Sequence, residues 1–270
     1  MRHVRDRRGV LTPPEAGFRL ERHAPAPDLA GLIDFHWHVA WDLAPGAEHV
    51  QGVLPFPCVN LGAGSDGLFV HGPITRRDDR TLRGRGHALG TRIAAGLFPT
   101  IAYDNLEAHR TTDRILTFGE AFGPDGERLA VRLPDAGAPP AHRALVEDLM
   151  RRRAAARPPD PQALLANRVV VAILAEPTVA RVADVAARHA LSPRALQRLF
   201  RRYVGLTPKQ VLQRSRLHEA VERVTAGDGT GADLAFDLGY ADQAHFANAF
   251  REATGRSPSR YGRGPYTVAR

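Results

Sequence analysis

The chain has 270 residues, a net charge of +8 and 43% hydrophobic residues, which is enough for two domains with cores of their own. A single cysteine, Cys58, excludes an internal disulfide and any multi-cysteine zinc site. The basic start, Met1 to Val10, leads into no apolar run of about 7–15 residues, and no stretch approaches ~20 apolar residues, so a soluble, cytoplasmic protein without a membrane partner is expected.

The first part of the chain reads as β-rich. Strand candidates at Phe18 to Arg22, Asp34 to Asp42, His49 to Leu54, Cys58 to Leu61, Leu68 to His71 and His87 to Ala94 are punctuated by Gly and Pro, the pattern of a small barrel or sandwich. Asp34 to Asp42 alternates strictly, with Phe35, Trp37, Val39 and Trp41 on one face and His36, His38, Ala40 and Asp42 on the other. The aromatic face predicts either core or the lining of a ligand pocket, with Phe35, Trp37 and Trp41 as its candidate residues. On the opposite face, His36, His38 and Asp42 have three-ligand metal spacing, which His49, His71 or His87 would complete. The competing reading, adopted here with no metal and no cofactor, has these groups facing water or bonded across strands. Cys58 reads as a small apolar strand residue, since a reactive thiol wants positive charge that its segment lacks.

After Phe98-Pro99 the pattern turns helical. Ala144 to Ala156 ends in Arg151, Arg152 and Arg153, cations suited either to the helix dipole or to a phosphate backbone. Arg157 to Pro161 stops that helix, and Gln162 to Ala175 starts another. The expected division is therefore 1–156, a Pro-rich linker at 157–161, and 162–270. Residues 160–270 hold 16 Lys and Arg against 10 Asp and Glu, while residues 1–159 hold 21 against 19. Most of the positive excess thus sits in the second part. Lys209 is the one lysine among 37 basic residues, which favours planar bidentate chemistry.

That second part repeats itself. Ala183 to Phe200 is echoed by Ala232 to Phe250, each a short amphipathic helix, a tight turn, a capping residue (Ser192, Asp242) and a second helix. The offset is 49 before the turn and 50 after it, so one residue is added after Tyr240. The inward set is Leu196, Leu199 and Phe200 in one copy and Phe246, Ala249 and Phe250 in the other. This is the form of a tandem helix-turn-helix, which predicts double-stranded DNA as partner.

The outward faces carry Arg194, Gln197, Arg198 and Arg201 in the first copy and Gln243, Ala244, Ala247, Asn248 and Arg251 in the second. Arg matches guanine edges and Gln or Asn matches adenine, so residues near the helix starts are candidate base readers, whereas Arg201, Arg202 and Arg251 are placed on phosphates. Thr207-Pro208 opens a connecting helix to about Thr225, ended by the Gly227 to Gly231 segment. Nineteen residues at ~1.5 Å each give a rod of about 28 Å, close to the ~34 Å between successive major-groove faces.

Residues from about 163 to 262 resemble the DNA-binding domain of AraC/XylS-type transcription regulators. The resemblance includes the Gly239-Tyr240 turn, Gln243 to Phe246 and the closing Gly255 to Tyr261. It implies base contacts at Arg194, Gln197 and Arg198 and at Gln243, Ala244 and Asn248, with Ala244 departing from the polar residue often found there. Leu32 to Trp37, Pro55 to Leu61, His71 to Pro73 and Gly90 to Pro99 resemble the cupin-like sensor domain of a subgroup of these regulators. The fold expected is α+β, a β-rich cupin-like barrel or sandwich with flanking helices followed by an all-α tandem helix-turn-helix domain. The function implied is a non-enzymatic, sequence-specific transcription regulator. A small-molecule effector, a homodimer and, for an activator, RNA polymerase are its implied partners. Two other classes are compatible with parts of the sequence: a metal-dependent cupin-type enzyme fused to a DNA-binding unit, resting on the histidine set, and a DNA repair protein using Cys58, which lacks activating neighbours in the sequence.

Overall fold

In the computed structural model, residues 9–11, 18–64, 67–133, 138–158, 160–178 and 181–263 are described. The start of the chain and linker residue 159 lie outside them. The N-terminal half contains strands β1 (Phe18–His23), β2 (Ile33–Asp42), β3 (Glu48–Val53), β4 (Asn60–Gly64), β5 (Gly67–His71), β6 (Asp78–Arg83), β7 (Arg85–Ile93) and β8 (Ile115–Leu116). One antiparallel sheet has the order β1-β2-β7-β4-β5-β8, and β3 pairs with β6 in a second. The β-rich expectation for this half holds. The sequence pattern did not mark β6, because Asp-Asp-Arg-Thr-Leu-Arg carries little apolar signal, although its burial does alternate. Cys58 lies just before β4 rather than inside a strand.

Glycines opposite aromatic residues shape the larger sheet. Trp37 pairs with Gly90, Trp41 with Gly86 and Phe69 with Gly62. A Cβ built on these glycines would stand 2.2, 2.3 and 2.0 Å from the facing ring, so each ring fills the space that a side chain at the glycine would need. Gly62 and Gly90 are themselves partners, giving the centre of the sheet a low floor between Trp37 and Phe69.

The helices are α1 (Phe98–Ile101), α2 (Phe118–Phe122), α3 (Pro124–Arg132), α4 (Pro139–Ala156), α5 (Pro161–Ala175), α6 (Val182–Arg188), α7 (Pro193–Tyr203), α8 (Pro208–Ala226), α9 (Ala232–Asp237), α10 (Gln243–Thr254) and α11 (Pro258–Tyr261). Helix α4 starts earlier than its apolar pattern, because Pro139 and Pro140 occupy the first turn, where no intrahelical N–H is needed. Its terminal arginines are used inside the N-terminal half. Arg151 donates to Asp28 (2.6 Å), Arg152 to Asp148, and Arg153 to the carbonyls of Ile101 (2.8 Å) and Ala102 (2.9 Å). Arg151 and Arg153 fasten α4 in place, while the Arg152 bond lies within the helix.

The largest apolar cluster runs from Leu29 and Ile33 through α1, α2 and α4 into α5, α6, α7 and the start of α8 at Val211 and Leu212. A second cluster holds the later part of α8 with α9, α10 and Tyr261. The first helical unit is therefore packed into the same core as the N-terminal half, and the second has a core of its own.

Candidate nucleic-acid interface

The two helix pairs α6/α7 and α9/α10 are built alike. In each, the first helix closes on a residue of positive φ, Ala190 (φ 54) and Gly239 (φ 72). The next N–H then reaches back to the same carbonyl, Leu191 to Ala186 (2.8 Å) and Tyr240 to Ala235 (2.9 Å). Each second helix is capped as its sequence predicts. The Ser192 hydroxyl accepts from the Ala195 N–H (3.2 Å), and the Asp242 carboxylate accepts from the His245 N–H (2.7 Å). Leu196, Leu199, Phe200, Phe246 and Phe250 are buried, with Ala249 partly so.

The opposite faces are open. Arg194, Gln197, Arg198, Arg201, Arg202, Gln243, Ala244, Asn248 and Arg251 are exposed. Arg194, Gln197 and Arg198 make no side-chain hydrogen bond or ion pair among the described residues, so their donors are available to a partner. Arg251 donates to Asn248 Oδ1 (2.8 Å), which orients that amide, and Arg201 lies 3.5 Å from His109.

Helix α8, 19 residues long, joins the two units. A capping box at Thr207 and Gln210 starts it, and Gly227 (φ 84) ends it in the left-handed conformation. One of its faces is gripped by the rest of the molecule. Arg214, 8% exposed, donates to the carbonyls of Pro55 (2.9 Å), Ile74 (3.3 Å) and Thr75 (2.8 Å). Burial pulls its pKa down to about 10, with Asp113 the nearest opposing influence. The Ser215 hydroxyl donates to the Ile173 carbonyl (2.9 Å), and the His218 ring stacks on Phe56 with centroids 3.9 Å apart. Further along, Arg77 of the β5–β6 connection lies against Gly255, the glycine that ends α10. Sequence reasoning passed over Arg214, His218 and Arg77. The available signal was the spacing of Val211, Arg214, Ser215 and His218, which puts a cation and a histidine on the apolar face of α8.

Between the two sheets lies a cavity of about 270 Å³. Phe35, Trp37 and Trp41 line it together with Phe56, Phe69 and Ile74. His71, also on its wall, accepts from Arg80 (2.9 Å), and burial, helped by that guanidinium, lowers its pKa to about 4. Cys58 is buried, which pushes its thiol pKa up despite nearby Arg92.

On the other face of β2, α4 approaches the strand at His36. His36 is buried and bonded across strands to Thr91 (2.8 Å), with Glu147 of α4 3.1 Å from its second nitrogen. Burial lowers its pKa against the pull of Glu147. His38 packs edge-on to His87, Asp42 is exposed, and His49 bonds to Gln51. Among the described residues, no three His, Cys, Asp or Glu side chains are grouped as a metal site would require.

Residues 185–264 match the family model of a helix-turn-helix domain, and residues 21–117 match that of a domain of unknown function, DUF6597. The HTH-type transcriptional activator RhaS of Escherichia fergusonii is 40% identical over 74 residues, 27% of either chain. RhaS of Klebsiella pneumoniae is 39% identical over 75 residues, 28% of this chain and 27% of its own. The match thus spans about a quarter of the length of these curated relatives. Among solved structures, an AraC-type regulator from Chromobacterium violaceum aligns at 22% identity over 36% of this chain and 90% of its own, with a TM-score of 0.33. ToxT of Vibrio cholerae aligns at 9% identity over 91% of this chain and 98% of its own, with a TM-score of 0.41. By its family model, the segment 185–264 of this chain is a helix-turn-helix domain, similar in sequence to a part of the RhaS activators.

Proposed function

We propose that the chain is a sequence-specific transcription regulator that reads double-stranded DNA with α7 and α10 in two adjacent major-groove faces. The observation that carries this reading is the pairing of two identically closed and capped units, each with an open polar face, on one helix. At ~1.5 Å per residue, the 19 residues of α8 span about 28 Å, close to a helical turn of DNA. Tilt of the units, or bending of the duplex at a cost of order 1–6 kcal/mol, makes up the difference.

In this reading Arg194, Gln197 and Arg198 contact bases from the first unit, and Gln243, Ala244 and Asn248 from the second. Arg201, Arg202 and Arg251 meet phosphates. Ala244 offers only a methyl group, suited to apolar contact with thymine, so the second unit reads fewer hydrogen-bonding edges. The reader is residues 162–270, and residues 1–156 form a modulating module in a cytoplasmic protein. A small-molecule effector, a second copy of the chain, or both would act through this module, with RNA polymerase as a further partner if the chain activates as its curated relatives are named to do.

Effector control has a structural route. Pro55 and Ile74 line the cavity, and their carbonyls hold Arg214 of α8, so a change in the cavity wall bears on the helix that sets the two units apart. A ligand can shift binding only by as much as it distinguishes the two arrangements.

Selection of binding sites from random duplex DNA by the full chain, at a stated salt concentration, tests the proposal. Enrichment of one asymmetric motif with two blocks about a helical turn apart supports it. Recovery of sequences without any shared motif would overturn it.

A further inference from the structure

The reading of the chain as an effector-controlled regulator leaves the chemistry of the effector open, and the cavity between the sheets narrows it. Its wall is dominated by the indoles of Trp37 and Trp41 and the rings of Phe35, Phe56 and Phe69. Such a wall favours a compact apolar body, with aromatic rings able to stack on it.

The charged side chains on that wall, among the described residues, are Arg22, Arg80, Arg92 and Asp78. Three guanidiniums against one carboxylate disfavour a cationic ligand. Arg80 is occupied by Asp78 (3.0 Å) and His71 (2.9 Å). Arg92 is placed differently. Its guanidinium lies 4.0 Å from the centre of the Phe56 ring and 5.1 Å from that of Phe35. Its Nε is 2.9 Å from Asp34, at the bulge where β2 slips against β7. A guanidinium has five donors, so one carboxylate leaves Arg92 able to serve a further acceptor. Phe56, the same ring that carries Arg92, also carries His218 of α8 at 3.9 Å, with 19° between the ring planes. A displacement of Phe56, made directly or through Arg92, therefore reaches α8 at His218.

We propose that the cavity takes a compact aromatic or alicyclic molecule that presents a carbonyl or carboxylate oxygen to Arg92, and that Phe56 passes its arrival to α8. This rests on the regulator reading above, and it names the effector class and the residue that relays it.

Both tryptophans of the chain line the cavity, so intrinsic fluorescence of the full chain reports its filling. Titration with 4-tert-butylbenzoate and with 4-tert-butylbenzamide is expected to give saturable changes, and the cationic 4-tert-butylbenzylamine is expected to bind about ten-fold more weakly or worse. Arg92→Leu should weaken the benzoate by about ten-fold or more, and Arg92→Lys should recover most of the loss. Amide hydrogen exchange under saturating benzoate should change across residues 211–219. At benzoate concentrations that saturate each protein, Phe56→Leu should lose that response while the unaltered chain keeps it. The proposal is overturned if none of the compounds saturates, if the amine binds as well as the benzoate, or if exchange in α8 of the unaltered chain ignores the benzoate. None of these readouts uses DNA, so their failure is separate from failure of the DNA-reading proposal.

Discussion

Ala190 and Gly239 occupy the same place in the two helix-turn-helix units, each closing the first helix in the left-handed region, at φ 54 and φ 72. Glycine adopts that conformation freely, whereas an L-residue with a Cβ loses roughly 1–2 kcal/mol there. The first unit therefore holds strain that the second avoids. Ala190→Gly should stabilise the chain by about 0.5–1 kcal/mol, the relief of strain being partly offset by the freer unfolded glycine. Denaturant unfolding checks this, and Gly239→Ala should move the midpoint the other way.

The reading faces predict two kinds of loss. Arg198 is exposed and makes no side-chain bond among the described residues, so Arg198→Ala should fold normally. It should weaken binding to the selected site by ~1–3 kcal/mol and relax preference at one base position. Arg202→Ala should weaken all sequences about equally and lower the salt slope by about 1. Competition between selected and random duplexes across a salt series separates the two. An unchanged sequence preference in Arg198→Ala would remove it from the base readers.

Phe200 is fully buried in the cluster shared with the N-terminal half. Phe200→Ala should cost ~3–5 kcal/mol as a core cavity. Because this core is shared, the loss should appear in one transition that includes the fluorescence of Trp37 and Trp41, followed by thermal melting with near-ultraviolet detection.

His71 makes stability depend on pH. Its folded pKa, lowered to about 4 by burial and by Arg80, lies below the ordinary imidazole value of 6.5. Between those values the unfolded chain binds more protons than the folded one. The contribution is complete above pH 6.5 and is lost progressively as pH falls to about 4, by up to about 3 kcal/mol. His36 and His38 are lowered as well, each chiefly by burial, and add to the same acid limb. Urea unfolding over this range should show a shallower slope in His71→Gln.

The helical half was legible because its signals are local. Caps at Ser192, Asp242 and Thr207 and the Leu196, Leu199, Phe200 spacing lie within a few residues of the structure they specify. The alternation of β2 was equally plain, and it separated Trp37 from His36 correctly. Other features depend on distant partners. Nothing near His36 in the chain announces Glu147, and the terminal arginines of α4 gave no sign of ending on Asp28, Ile101 and Ala102. The buried Arg214 was hidden for the same reason, since its three carbonyl partners lie well over a hundred residues away. Strand β6 was missed because it offers only Leu82 to the interior as an apolar residue.

In the proposed complex, α8 holds two reading helices in fixed register, about one turn of DNA apart. The most direct test is the affinity of the full chain for its selected site when ~5 base pairs, half a helical turn, are inserted between the two blocks. Affinity is expected to fall about a hundred-fold, to the level of a site with one block scrambled, because the second unit would face the wrong side of the duplex. Affinity unchanged by the insertion would contradict a rigid two-unit reader.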